Sequence, residues 1–396
     1  MEMYTLSFAL FTLHAFTNAQ LLPKEAYSTV PQLISSAGYP VNKYRVTTED
    51  GYILQMYRIP AGRRTARRSD NAKGKRPVLL MHGLMGSSDN FIIMGPNKSL
   101  GYMLADAGYD VWLGNMRGTV HSAHQNLTRR DAKFWNFSFD EHGKYDLPAI
   151  IDKVLSVTNL DKLFYIGHSM GSTSFFVMMS EKPEYNEKIV AFIALSPAVY
   201  VGTIKPIVQL LLRDLNLTNR MRVQGIYSSE IVKNQWQSIA TTCMGRKIDE
   251  NMCARFVALL VGENDAEVDL SMLPVIIARV QPASLQQYEH YGKIVESGVF
   301  TAWENGFNGT IRPYNLSNVK VPVEIIYGEN DQLVHKTQVL RLAEELKAIG
   351  VLEDVRSACS CPKWNHLDFV VAKNVGKLFN KPLVKDVNRL YNKYGS

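Results

Sequence analysis

Along this chain short, continuous apolar runs alternate with longer amphipathic stretches. The continuous runs are "RPVLLMHG" from Arg76, "YDVWLGN" from Tyr109, "LFYIG" from Leu163, "IVAFIALSP" from Ile189 and "VPVEIIYG" from Val321. Their length and Val/Ile/Leu content predict strands buried on both faces. The stretches between them predict helices over "GPNKSLGYMLADAG", closed by Gly108, and over Ser138–Val157, "STSFFVMMS" and His335–Ile349. A final strand "LEDVRS" and a C-terminal helix over Asp368–Phe379 complete the series. Strand and helix in alternation specify an α/β fold with a mostly parallel sheet flanked by helices.

Three places depart from this rhythm. Asn42–Ile59 alternates in two runs around Asp50-Gly51, a hairpin signal. Ser138-x-x-Glu141 is a capping box, but Pro148 lies inside the helix it opens, which predicts a late start or a kink. Between about Ala198 and Leu316 the alternation stops, leaving helix-like patches such as "IVQLLLRDLNL", "RFVALLVG" and "LPVIIARV". This predicts a mainly helical cap inserted over the sheet at 198–316. The core then comprises 20–197 and 317–396.

Residues 1–19 differ in kind. Tyr4–Phe16 is almost wholly apolar and precedes Thr17-Asn18-Ala19, the small-x-small pattern of a cleaved secretory leader, although Glu2 stands where a basic residue is usual. Sequons at Asn97, Asn126, Asn136, Asn216, Asn308 and Asn315 agree with a glycosylated protein of the secretory pathway, exported or lysosomal. The formal net charge of +7 is concentrated in Ala61–Arg76, where seven Lys/Arg face Asp70 alone. That run lacks the interleaved aromatics of a nucleic-acid surface and reads as a solvated loop, with an anionic lipid surface as the alternative. Cys243 and Cys253 flank a polar loop that a disulfide could close. Cys359 and Cys361 stand too near in sequence for an easy mutual bond, and their spacing does not suit zinc. No metal and no cofactor is expected.

The chemistry lies in Gly167-His168-Ser169-Met170-Gly171, between a buried strand and a helix. A sharp strand-to-helix turn there would lift the Ser169 hydroxyl clear of the sheet. A serine nucleophile needs a base, and the base needs an orienting carboxylate. The order serine, acid, histidine leaves His290, His335 and His366 as bases. His290 falls in the insertion and His335 opens a helix, so His366 is chosen. "GEND" occurs twice; Asp265 falls in the insertion, whereas Asp331 follows a buried strand at the sheet's carboxyl end and is taken as the acid. Backbone N–H groups of Leu84 and Met170 are the candidate oxyanion donors, with His82 structural.

The motifs "HGLMGSS" (His82–Ser88), "LADAGYDVWLGN" (Leu104–Asn115), "FWNFSFDEHGKYDLPA" (Phe134–Ala149), "GHSMGS" and "WNHLDF" (Trp364–Phe369) together resemble the acid lipase family. The resemblance runs from about Tyr39 onward. It implies an α/β-hydrolase core, a helical cap and hydrolysis of triacylglycerols or cholesteryl esters at a lipid–water interface, without metal or obligate protein partner. It places the family's triad on Ser169, Asp331 and His366, and its cap disulfide on Cys243 and Cys253. Two positions differ: Met170 stands where the family commonly has Gln, and Asn115-Met116-Arg117-Gly118-Thr119 replaces its Asn-Ser-Arg-Gly-Asn run. A short-chain carboxylesterase and a non-catalytic lipid-binding protein of the same fold are the alternative readings.

Overall fold

The structure, a computed structural model, describes residues 22–63, 75–202, 215–244 and 250–395. The leader at 1–19, most of the basic run, part of the "IVQLLLRDLNL" patch and the side chain of Asn216 lie outside the described residues.

Among the described residues nine strands form one sheet: β1 (Asn42–Thr47), β2 (Tyr52–Ile59), β3 (Pro77–Met81), β4 (Asp110–Leu113), β5 (Ser122–His124), β6 (Leu163–His168), β7 (Ile189–Leu195), β8 (Val323–Tyr327) and β9 (Leu352–Ser357). Their order is β1-β2-β4-β3-β6-β7-β8-β9, with β5 on β2. β1, β2 and β5 pair antiparallel, as does β2 with β4; every pairing from β4 through β9 is parallel. The helices are α1 (Val30–Ser36), α2 (Leu100–Asp106), α3 (Leu147–Thr158), α4 (Met170–Glu181), α5 (Leu215–Val223), α6 (Lys233–Met244), α7 (Glu250–Val261), α8 (Leu273–Ala278), α9 (Leu285–Ser297), α10 (Lys336–Ala348) and α11 (Lys381–Tyr394).

The continuous apolar runs are explained by a core on each face of the sheet. Leu79, Met81, Leu163 and Tyr165 point into one core, and Val78, Leu80, Phe164 and Ile166 into the other. Adjacent residues of a strand face opposite ways, so a strand covered on both sides has no polar position to spare. A third cluster belongs to the excursion between β7 and β8; there Ala240, Cys243, Ala254 and Leu273 pack with Leu22 and Ala26. Cys243 and Cys253 are bonded, joining α6 to α7.

Several local expectations change. The helix predicted from Ser138 forms and is continuous from Phe139 to Thr158, with a π-type turn at His142–Asp146 between its capped first turn, Phe139–Glu141, and α3. The capping box forms, with Ser138 N–H donating to Glu141 at 2.6 Å. Pro148, which has no N–H, directly follows the π-type turn, in which Leu147 N–H donates to His142 O; this wider turn is how the continuous helix accommodates the proline. The C-terminal helix does not run over Asp368–Phe379. Ala372 is extended, so a short turn Asp368–Val371 is followed by a π-type turn Gly376–Asn380 and then by α11. Leu383, Val387, Leu390 and Tyr391 supply the buried stripe of α11. Cys359 and Cys361, read as too near to pair, are bonded, because the bend after β9 sets their Cα atoms 5.1 Å apart, within disulfide range.

Two buried polar groups tie this framework together. The Arg117 guanidinium meets Asp146 at 2.7 Å and Asp50 at 2.6 Å, and lies 4.0 Å from the Tyr52 ring centroid. His290, on α9, is stacked 3.8 Å from Phe139, bonds Ser138 Oγ through Nδ1 and donates through Nε2 to the Thr301 carbonyl. Burial pushes the His290 imidazole down to about 3.

Arg117→Ala leaves the fully buried Asp146 carboxylate without its cation. Urea denaturation at pH 7 should show a loss of about 3–5 kcal/mol. For His290 the sign is set by its lowered pKa. Below the unfolded value of about 6.5 the unfolded chain takes up a proton that the folded chain refuses, so this stability is full above that pH and is lost as pH falls. Between pH 7 and pH 5 the parent should lose ~2 kcal/mol more than His290→Gln does, read from paired denaturant midpoints.

Candidate active site

The site is built where the carboxyl ends of β3, β6, β7 and β8 converge. β6 ends at His168, and Ser169 takes φ 53° and ψ −118° before α4 begins at Met170. That conformation is sparsely populated for a residue with a Cβ and is held from several sides. Ser169 N–H donates to Leu195 O of β7 at 2.9 Å, Ser172 Oγ to Gly167 O at 2.7 Å, and Tyr165 Oη to Gly171 O at 2.8 Å. The flanking glycines are steric necessities: a Cβ on Gly167 would lie 2.7 Å from Gly171 C, and one on Gly171 would lie 2.4 Å from Met81 O.

The loop after β3 passes beside this turn, since a Cβ on Gly83 would lie 3.0 Å from that of Ser169. Within it, His82 donates from Nδ1 to Gly83 O at 2.8 Å and accepts Met116 N–H on Nε2 at 3.2 Å. Burial pushes the His82 imidazole down to about 4, so it stays neutral and structural. The Leu84 N–H has no acceptor among the described residues. Met170 is the first residue of α4, where an N–H has no partner within the helix.

Asp331 lies in the turn after β8. Its Oδ1 accepts from Leu333 N–H at 2.9 Å and Val334 N–H at 2.8 Å, and its Oδ2 accepts from Ser196 Oγ. The same Oδ2 meets His366 Nδ1 at 2.7 Å. This bond fixes the imidazole with Nδ1 toward the carboxylate, which leaves Nε2 as the nitrogen available for proton transfer. His168 secures the backbone of that loop by donating from Nε2 to the His366 carbonyl at 2.9 Å. Burial, with the neighbouring His366 ring, pushes the His168 imidazole down to about 3.

Ser169, His366 and Leu84 line one cavity of about 680 Å³, otherwise mostly apolar, with Trp236, Val257 and Ile276 among its walls. Ile239, Met252 and Phe256, on α6 and α7, also line it, yet their exposures are 42%, 58% and 58%. His290 is committed to the bonds described above, and His335 caps α10, accepting from Thr337 N–H. Neither joins Ser169. Asp265 likewise stays out of the site, but its "GEND" neighbours do not. Asn330 donates to Glu263 O at 2.8 Å, and Asn264 donates to Asp368 at 2.6 Å.

Sequence reasoning missed Ser196, His168, Asn365 and Asp368. The Ser196 φ of 45° and the His168 bond are tertiary facts with no linear signature. Gln287 was also missed; from α9 its Nε2 reaches the Met170 sulfur at 3.3 Å.

Two family models match the chain: the alpha/beta hydrolase fold over residues 76–370, and a partial alpha/beta-hydrolase lipase region over 30–95. Lipase 1 of Drosophila melanogaster is 36% identical over 93% of this chain and 82% of its own length. Gastric triacylglycerol lipase of Bos taurus is 37% identical over 88% of each. A crystal structure of a putative lipase from Sulfolobus solfataricus superposes with TM-score 0.59 at 15% identity, covering 88% of this chain and 94% of that one, a likeness of fold. With a serine on a strained strand-to-helix turn, a carboxylate-bound imidazole and an apolar cavity already assembled on a mostly parallel sheet, the chain belongs to the lipases of the α/β-hydrolase family, which are carboxylic-ester hydrolases.

Proposed function

We propose that the chain hydrolyses esters of neutral lipids, triacylglycerols foremost, through Ser169, His366 and Asp331. The observation that carries this reading is the 2.7 Å bond between His366 Nδ1 and Asp331, with His366 and Ser169 lining the same cavity. Ser169 Oγ attacks the ester carbonyl carbon as its proton passes to His366 Nε2. The carbonyl π electrons move onto oxygen, where the N–H groups of Leu84 and Met170 receive the developing charge. Collapse of this adduct breaks the bond to the alcohol oxygen, which takes the proton from His366 and leaves an acyl-serine. Water, deprotonated by the same nitrogen, then releases the fatty acid and restores Ser169. Asp331 holds the tautomer throughout and stabilises the imidazolium.

Residues 198–316 act as the cap over this cavity. The exposed Ile239, Met252 and Phe256 at its edge are the contact with a lipid–water interface, since apolar side chains exposed beside a binding cavity fit a lipid surface. Export or lysosomal delivery follows from the leader at 1–19, from the disulfides, and from sequon asparagines at 97, 126, 136, 308 and 315, all exposed. Among the described residues no helix is long and apolar enough to cross a membrane.

Ser169→Ala should lower kcat on a dissolved ester by roughly a million-fold, the scale of losing a triad serine. Turnover near the parent's would exclude Ser169 as nucleophile. Phe256→Ser should slow hydrolysis of emulsified long-chain triacylglycerol by about tenfold, equivalent to losing part of one buried aromatic. Hydrolysis of a dissolved short-chain ester should be unchanged, and equal loss on both substrates would place Phe256 in the acyl pocket instead.

A further inference from the structure

The end of α7 and the irregular segment and turn after it, Val261–Glu267, are fastened to both loops that carry the acid and the base. Val261 O accepts from Gln332 N–H at 3.3 Å and from His366 N–H at 3.4 Å. Asn365 Nδ2 donates to Gly262 O at 2.9 Å, and a Cβ on Gly262 would lie 2.1 Å from Asn330 O. Glu267 O accepts from Lys373 N–H at 2.6 Å, and its carboxylate accepts from Asn374 N–H at 2.9 Å.

At the centre of these contacts sits Asp368, two residues after His366 and 4% exposed. Its Oδ2 accepts Asn264 Nδ2–H at 2.6 Å and Asn365 N–H at 2.7 Å. Asn365 Oδ1 in turn accepts the N–H groups of Leu367 at 2.9 Å and Asp368 at 3.1 Å. Asn365, His366, Leu367 and Asp368 thus form one closed turn whose only side-chain anchor to the cap from Asp368 is Asn264, among the described residues. Nothing in the acyl-transfer chemistry uses this buried carboxylate. Its burial needs another reason, because an apolar side chain would avoid the desolvation cost.

We propose that Asp368 is a positioning residue that couples the cap to the catalytic histidine: the Asn264–Asp368–Asn365 chain sets the His366 turn, so a displacement of the cap at 261–267 is transmitted to the imidazole. This rests on the triad reading above. The hydrogen bonds determine the direction of coupling. Removing the acceptor at Asp368 releases Asn365 N–H and Asn264 Nδ2, while Val261 O and His168 still hold the His366 backbone and Asp331 still holds Nδ1, so the ring shifts in register toward Ser169 and keeps its carboxylate. A misplacement of this kind falls mainly on kcat; because Asn264, Asn365 and Asp368 also line the cavity, KM moves too, by a smaller factor.

Three variants separate positioning from mere support. Asp368→Ala should lower kcat on a dissolved ester roughly ten- to hundredfold, with KM within about twofold. Asp368→Asn keeps one oxygen for both N–H groups and should restore kcat to within about threefold of the parent, by the same geometric reasoning. Asn264→Asp sets a second carboxylate against Asp368, with Glu267 of the same segment and Asp331 also near; Asp89, on the turn that packs against Asp368–Val371, is paired with Arg279 at 2.7 Å and adds little. Those like charges admit the pair only with a shared proton. The Asn264→Asp variant should therefore approach parental kcat at acid pH and fall away as pH rises, displacing the alkaline limb of the pH–rate profile downward.

Circular dichroism fixes the folded fraction for each variant. Folded Asp368→Ala with parental kcat, or an Asn264→Asp profile superimposable on the parent's, would overturn the coupling. Ser169→Ala assayed alongside keeps the two readings apart. An active Ser169→Ala overturns the triad, whereas an inactive Ser169→Ala beside a fully active Asp368→Ala overturns the coupling alone.

Discussion

A serine that leaves a strand at φ 53° and enters a helix one residue later is the constraint on which the remaining architecture depends. Such a backbone costs on the order of 1–3 kcal/mol and survives only where its surroundings leave no alternative. Here β6 is paired on both sides, to β3 and β7, so the strand cannot shift to relax the turn. α4 presses its first turn against Met81 so closely that only glycine fits at 171. The other participants arrive from neighbouring strand ends: Leu84 after β3, Asp331 after β8 and His366 after β9. All three lie at the same end of the sheet as the serine because parallel strands deliver their carboxyl ends to one side.

Burial governs the electrostatics of this region. His82, His168 and His290 are all held neutral; His82 and His290 bond through both ring nitrogens and His168 through Nε2. A neutral imidazole donates from one nitrogen and accepts on the other, so each ring serves as an oriented strut between backbone segments. His366 differs in facing a carboxylate through one nitrogen and the cavity with the other side of the ring. The contrast assigns roles to four histidines by their partners, without reference to their order in the chain.

Much of this was legible from the linear pattern. The parallel strands announced themselves as unbroken apolar runs because both faces are covered. The glycines around Ser169 were readable because steric exclusion leaves no other residue type. The order of serine, aspartate and histidine pointed to a serine and a histidine that line one cavity and to an aspartate hydrogen-bonded to that histidine. Other features had no such trace. β5 is three residues long and exists only as an edge on β2. The π-type turns at His142–Asp146 and Gly376–Asn380 each end two residues before a proline, Pro148 and Pro382; Pro148 signalled an irregularity, but the form it takes, and the docking of Gly376 against Asn97, are not local propensities. The pairing of Cys359 with Cys361 depends on a bend that spacing alone argues against. The first "GEND" was set aside for lying in the insertion, yet the insertion folds back until Gly262 and Asn264 touch the base-bearing turn.

β7 and β8 are hydrogen-bonded neighbours although residues 196–322 intervene. Because the two ends of this excursion are pinned side by side, its contents can lengthen at small entropic expense, about 0.6 kcal/mol for each doubling of a flexible loop. Evolution can thus exchange whole inserts to suit new acyl chains or surfaces while leaving the hydrolytic machinery intact. The freedom has one condition: any transplanted insert must bring its own equivalent of the few residues around Gly262, or the recipient scaffold receives a roof that no longer meets its walls.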